Sequence, residues 1–518
     1  MIWLIAKKDF LSNIVTSGFM IGLVLCLVLI PYTMYTGIRE YENRLAQYEA
    51  DVNQAEDVYK KSYVYATVNP VIVKPVSPLS IFSKGVLEQT GSKVELHRDE
   101  KPVFSSDIVR QNENPFMNDF MSLDFTTALT ILLSLLGVLF SYDMFSHEKE
   151  QGTLKLALSN PVSRATFFLG KLTGVFLTLI PALVFCFLIV LLMIQFSSSV
   201  HFSASDYGRI AMLIVVSFVY FAFFVFVGGF VSSRTKSSTS SIIVNLFIWC
   251  FLLFLLPNAV GYLGKNITKT DDYSQLEIQL RQMDNEVIKN INEGEVSKTL
   301  KDEGLQLEGW LMCAGGDWDG GYLILFTPRP TMEYERRKKE LANPLILDNS
   351  DKKWSLQSDY LQQLYRQEKT IRYLSYLSPA EIFKLFAALF CRTGMDAEVN
   401  FMNQARLFQD IFYGYFVQNS IFSSYAYFTM QKESEFPDTW EEASAQYQAW
   451  KDNTKPEKSF DMSSFPYVDT SDFPRFVYMQ PTLGNDLLSQ LYLIAGILFV
   501  CILLCWFSFV SFIKYDVR

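Results

Sequence analysis

The sequence predicts a mainly α-helical membrane protein with six transmembrane helices, an N-terminal interfacial helix and a mixed, mostly helical extracytoplasmic domain. Three observations predict it. Half of the 518 residues are hydrophobic and 15% are aromatic, and the mean hydropathy is +0.15, too apolar for an ordinary soluble multidomain chain. Uninterrupted apolar stretches near the length of about 20 residues that crosses a hydrocarbon core occur at residues 16–38, 123–145, 167–196, 210–231, 242–263 and 487–513. Basic residues gather beside these stretches in every alternate loop, as they do in short cytoplasmic loops. Lys7 and Lys8 precede the first stretch, Lys149, Lys155, Arg164 and Lys171 lie between the second and third, Arg234 and Lys236 between the fourth and fifth, and Lys514 and Arg518 after the sixth.

That pattern predicts a multi-pass membrane protein with both termini cytoplasmic. Two long segments, 39–122 and 264–486, then lie outside. They carry most of the net charge of −9, which suits a soluble external domain and excludes a basic surface for nucleic acid.

Residues 1–15 read as an interfacial helix, with Trp3, Leu4, Phe10 and Leu11 on one face and Lys7, Lys8 and Asp9 on the other. The first span carries no small-x-small cleavage site and runs into a charged helical pattern, so it is expected to stay in the mature chain. Its apolar positions continue outward as a stripe, Met34, Ile38, Tyr41, Leu45, Tyr48, Val52, Ala55 and Tyr59. Tyr273, Leu276, Leu280, Met283 and Val287 repeat the device after the fifth span. The two stripes either pair as a stalk or pack each on its own outer domain.

Residues 62–76 are dense in Val, Tyr and Thr between prolines and read as β-like. Helical patterns follow at 354–374, 378–391 and 397–416, the second opened by Ser378-Pro379-Ala380-Glu381, a serine N-cap with proline at N1 and glutamate at N3. Residues 310–313 and 322–326 read as a hairpin around the glycine- and aspartate-rich loop 315–321, for which calcium binding is the lesser reading. Residues 436–480 read as an irregular loop.

Five of the seven cysteines fall within spans, where a thiol acts as a small apolar group. Cys313 and Cys391 are the two expected outside; an oxidising compartment permits a disulfide between them, and sequence leaves the pairing open. With three scattered histidines and no Cys/His ligand spacing, no metal site is expected. Asp124, at the start of the second span, is expected in interfacial water, and Asn245 in an interhelical hydrogen bond. Pro31, Pro181 and Pro257 are placed to kink their helices.

The loop 146–166 carries the most specific motif: His147-Glu148-Lys149-Glu150-Gln151-Gly152-Thr153-Leu154, then Leu158-Ser159-Asn160-Pro161-Val162-Ser163-Arg164, then Gly170-Lys171. It resembles the membrane subunits of type-2 ATP-binding-cassette exporters, where an acidic cluster, Gly-Thr, a short helix, Pro-x-Ser-Arg and Gly-Lys recur. The resemblance implies that the short helix couples to a separate cytoplasmic ATPase subunit, and it assigns that role to Glu148, Lys149, Glu150, Gly152, Thr153, Leu154, Pro161 and Arg164. It also implies a second permease copy or a related permease. Physically, the charges keep the loop in water while Leu154, Leu156 and Leu158 offer apolar anchors to a partner groove. The insertions after the first and fifth spans, with Leu377-Ser378-Pro379-Ala380 and Phe401 in the second, resemble a branch related to the permease of nitrous-oxide-reductase copper-site maturation.

No GxxxxGK[ST] phosphate loop is present, so the chain itself is expected to need no cofactor and to be no enzyme; ATP and Mg would bind the partner subunit. A membrane-embedded enzyme would need paired carboxylates, a Ser/His set or HExxH within spans, and none is found. The alternative to transport is a non-transporting mechanical or signalling assembly, in which the outer domain acts on an extracytoplasmic protein.

Overall fold

The computed structural model describes residues 1–87, 93–96, 124–159, 162–267, 271–314, 323–453 and 465–515. A short helix, α1 (Ile2–Ile14), precedes α2 (Ser17–Lys60), whose N-cap Thr16 accepts from the Phe19 amide. Then follow α3 (Phe125–Ser141), α4 (Ser146–Glu150), α5 (Thr153–Ser159), α6 (Arg164–Gln195), α7 (Ala204–Arg234) and α8 (Ser238–Cys250). Ser163, Ser203 and Ser237 cap α6, α7 and α8, their side chains accepting from the Thr166, Asp206 and Ser240 amides. α8 runs through a π-turn, Phe251–Leu255, into α9 (Leu256–Ile267). The turn lies just before Pro257, which removes a backbone donor.

The second insertion holds α10 (Tyr273–Glu293), α11 (Glu295–Asp302), α12 (Arg329–Ser375), α13 (Pro379–Cys391), α14 (Met395–Gln418), α15 (Trp440–Asn453) and α16 (Leu483–Ser489). The chain ends its described course in α17 (Leu491–Ile513). Among the described residues six helices have the length and composition to cross a membrane: Ser17–Lys60, Phe125–Glu150, Arg164–Gln195, Ala204–Arg234, Ser238–Val260 and Leu491–Ile513. All six coincide with the predicted spans.

At the centre of the bundle α3 packs along α7. A Cβ on Gly137 would come within 2.9 Å of Phe224, and one on Gly228 would strike Ser141, so these two glycines set the approach. Inside this contact the Tyr220 hydroxyl donates to the Thr130 carbonyl and the Trp249 indole to Ser134 Oγ, which satisfies polar groups that lipid would leave unpaired. Asn245 is fully buried, but its amide reaches Ser241 on its own helix at 3.4 Å rather than a neighbouring one. Asp124 is half-buried and caps α3 through the Thr127 amide, while its other oxygen accepts from Lys84 N at 3.0 Å.

α2 runs unbroken from the bundle into the outer domain, as its stripe predicts. Met34, Ile38 and Tyr41 of the first stripe belong to the bundle core, Leu276 and Leu280 of the second close on Tyr360 of α12, and Tyr59, at the outer end of the first, joins the distal core. That core unites both insertions. Phe401, Phe408, Phe412 and Phe416 line one face of α14 and meet Tyr59 and Val64 from the first insertion. Two small antiparallel pairs complete it: β1 (Val71–Val73) with β2 (Lys93–Glu95), and β3 (Met312–Ala314) with β4 (Leu323–Leu325). The hairpin at 310–326 thus forms; its loop at 315–321 lies outside the described residues.

The structure also departs from the sequence reading in the second insertion. Within 436–480 the structure holds α15, whose Tyr447 and Trp450 pack on Phe326; only Ala443 among its residues is buried, so no apolar period announces it. α13 is not part of the outer domain's core but packs on α7 and α3, with Phe383 stacked on Tyr220 at 4.7 Å near the middle of α7. Thirteen residues make about 20 Å of helix, too short to cross a bilayer, so α13 enters the bundle from the domain side and stops within it. That placement disposes of the disulfide: Cys391 is buried in the bundle core, Cys313 is exposed on β3, and both are free thiols.

Candidate coupling site

On the side opposite the large domain, α4 and α5 form a compact unit between α3 and α6. Gly152, with φ +69°, makes the left-handed joint between them. Each charged residue of the motif reaches a different helix. Lys171, in the second turn of α6, donates to Asp9 Oδ1 of α1 at 3.1 Å and to Glu148 Oε1 of α4 at 3.0 Å. The Thr153 hydroxyl donates to the other Glu148 oxygen, closing α5 onto α4. α1 lies close enough for this because α6 offers no side chain at the crossing: a Cβ on Gly170 would meet Ile5 at 2.8 Å, and one on Gly174 would meet Asp9 at the same distance.

Lys149 points the other way. Its ammonium donates to the carbonyls of Ser232, Ser233 and Thr235 at 3.1, 2.5 and 3.1 Å, capping the C-terminus of α7, and it lies 4.4 Å from the Tyr515 ring centre. The Phe145 and Ser146 amides donate to Ser232 Oγ beside it. Glu150 accepts from the Ser238 amide at 2.9 Å, the favourable placement of a carboxylate at the start of α8. Arg164, at the start of α6, donates to the carbonyls of Ile513 and Tyr515 at the end of α17. The motif therefore ties together α1, the starts of α6 and α8 and the ends of α7 and α17.

Leu154 is 2% exposed and belongs to the bundle core, so it anchors α5 inward and offers nothing to a partner groove. Leu158 is half-buried against the same core. Leu156, at 69% exposed, faces outward with Lys155. Pro161 lies outside the described residues. Among the described residues no cluster of His, Cys, Asp or Glu is arranged to hold a metal ion.

The family model described as "ABC-2 family transporter protein" matches residues 3–406, more than half of the chain, and covers this site except for its contacts to the end of α17. The chain belongs to the ABC-2 transporter family. No curated protein matches it. Membership makes the chain a membrane component of an ABC transporter, and it implies an ATPase partner and membrane association.

A second charged centre of this ABC-2 protein escaped the reading of its sequence. Arg209, fully buried at the start of α7 on the domain side, pairs with Asp486 Oδ2 at 2.6 Å and donates to the carbonyls of Pro481 at 2.9 Å and Leu389 at 3.4 Å. It thereby caps the inserted helix α13. Arg392, just past the end of that helix, pairs with Asp206 at 3.2 Å. The available signal was positional: Arg209 is a basic residue abutting a span on the side otherwise poor in them.

Proposed function

We propose that this chain is the permease subunit of an ABC exporter, energised by a separate ATPase subunit that binds ATP and Mg and docks on α5. In this reading the α4–α5 side is cytoplasmic, the large domain is extracytoplasmic, and two permease copies, or this chain with a related one, complete the pathway. The observation that carries it is the set of bonds from Lys149 and Glu150 to the adjoining ends of α7 and α8. A partner that displaces α5 moves both helices together, while Leu156 and Lys155 remain available to that partner. The insertions after the first and fifth spans, with Leu377-Ser378-Pro379-Ala380 and Phe401, favour the branch related to the nitrous-oxide-reductase maturation permease.

A second reading, a mechanical or signalling assembly that moves no substrate, is favoured by one observation: α2 and α12 are continuous helices of 44 and 47 residues joining the membrane to the distal domain. Purification in detergent with the ATPase encoded nearest to the chain tests the common premise. The expected result is a complex that Leu156→Glu abolishes while the variant stays folded and monodisperse. If the wild-type chain binds no ATPase, both readings fall; if hydrolysis is coupled but indifferent to amphiphiles and peptides, the mechanical reading takes over.

A further inference from the structure

On the domain side of the bundle, α7, α13 and α17 do not close on one another. Between them lies a cavity of about 370 Å³, walled by Val219 and Phe223 of α7, Ile382 of α13, and Gly496, Ile497 and Val500 of α17. Gly496 contributes to the space directly, since a Cβ placed there would meet nothing within 4 Å. The lining is apolar apart from Tyr220 and the tyrosines at one end, Tyr376 and Tyr492, whose hydroxyls lie 3.2 Å apart. From Tyr492 to Val500 is about 12 Å along the helix, so the cavity runs from a polar rim at the domain side into the apolar interior.

The surrounding surface identifies what fills it. Leu491, Tyr492, Phe499 and Val500 are all exposed on α17, and α17 is one of the six membrane-crossing helices, so the cavity is continuous with lipid-facing surface. A void in hydrocarbon forfeits the dispersion contacts of its lining, and a chain from the adjacent leaflet restores them without dehydrating any polar group. Above the tyrosine rim α12 presents Arg366, Lys369 and Arg372 at successive turns, with Arg366 and Lys369 exposed and Arg372 paired to Asp396 at 3.3 Å. The order is basic, then tyrosine, then apolar, which matches phosphate, glycerol and chain.

We propose that this cavity is a binding site for a resident phospholipid of the domain-side leaflet, which inserts one acyl chain between α7, α13 and α17 and sets its phosphate beneath Lys369. The lipid completes the seat of α13, a wall of the cavity that is not a membrane-crossing helix. The site stands independently of any ATPase.

The test uses the full chain in nanodiscs of phosphatidylethanolamine and phosphatidylglycerol, doped with a phospholipid carrying a diazirine at the end of one acyl chain. After photolysis, labelling is expected to concentrate on peptides containing Val219, Ile382 and Gly496. Gly496→Phe is expected to reduce it there at least tenfold while labelling of α8 is unchanged. Val500→Trp, on the open wall, replaces that variant if Gly496→Phe fails to fold. A headgroup diazirine is expected to label residues 366–376. Labelling spread evenly over the lipid-facing helices and indifferent to the filling substitutions overturns the proposal, as does a chain-end label confined to the tyrosine rim.

Discussion

The Lys171 ammonium lies 3.0 Å from Glu148, with side chains 11% and 10% exposed, and it joins the start of one membrane helix to the motif that precedes it. Asp9 shares the same ammonium at 3.1 Å. Breaking a buried pair from one side leaves uncompensated charge and costs about 3–5 kcal/mol. Lys171→Met, which strands two carboxylates, is expected to lower the thermal midpoint of the purified chain more than Glu148→Gln does. Adding Asp9→Asn and Glu148→Gln to Lys171→Met is expected to recover most of the loss, measured by tryptophan fluorescence on heating.

Lys149 faces the carbonyl end of α7 rather than the solvent, so its loss is predicted to affect transmission and not attachment. Lys149→Met is expected to co-purify with the ATPase at wild-type yield while hydrolysis loses its response to the permease. Leu156→Glu is expected to show the reverse, lost association with an intact fold. Equal loss of association in both variants would contradict the division of roles between them.

Lys74 and Glu398 form a buried ion pair between the two insertions, with side chains 9% and 3% exposed. Glu398→Ala is expected to destabilise the outer domain by about 3–5 kcal/mol, because Lys74 is left charged and unpaired. Lys74→Met with Glu398→Leu should lose much less. Limited proteolysis near residues 74 and 398 reads the difference.

Glu335 of α12 is 1% exposed, and burial, despite the neighbouring Lys338, holds its carboxyl above the usual carboxylate range. A raised folded-state value means that the native chain binds this proton more tightly than the unfolded chain does. Stability therefore falls as pH rises from the unfolded value through the folded one, and the cost is complete above the folded value. Glu335→Gln is expected to melt higher than wild type at pH 7.5, and the two are expected to converge as pH approaches the ordinary glutamate value. A gap that widens on acidification refutes this account.

What sequence made legible was whatever depended on period or on adjacency. The six spans, the face of α14 from Phe401 to Phe416 and the serine cap of α13 are local patterns, and the structure contains each. The motif at 146–166 was legible as a unit, but the direction of its side chains was not: Leu154 turns into the core and Leu156 outward, a choice made by the packing of α5 on α3 and α6. The depth of α13 was hidden because an amphipathic helix covering an aqueous core and one inserted among membrane helices share an apolar face. Arg209 and Asp486 are 277 residues apart, and only the folded chain brings them together.

α12 is one helix of 47 residues, roughly 70 Å from end to end, and its foot, at Tyr376, shares a hydrogen bond with the first turn of α17. A rod of that length is a lever arm. A tilt of about 5° at the membrane sweeps its far end by about 6 Å, the scale of a whole helical turn, so adjustments too small to open a passage between packed helices become large displacements in the distal domain.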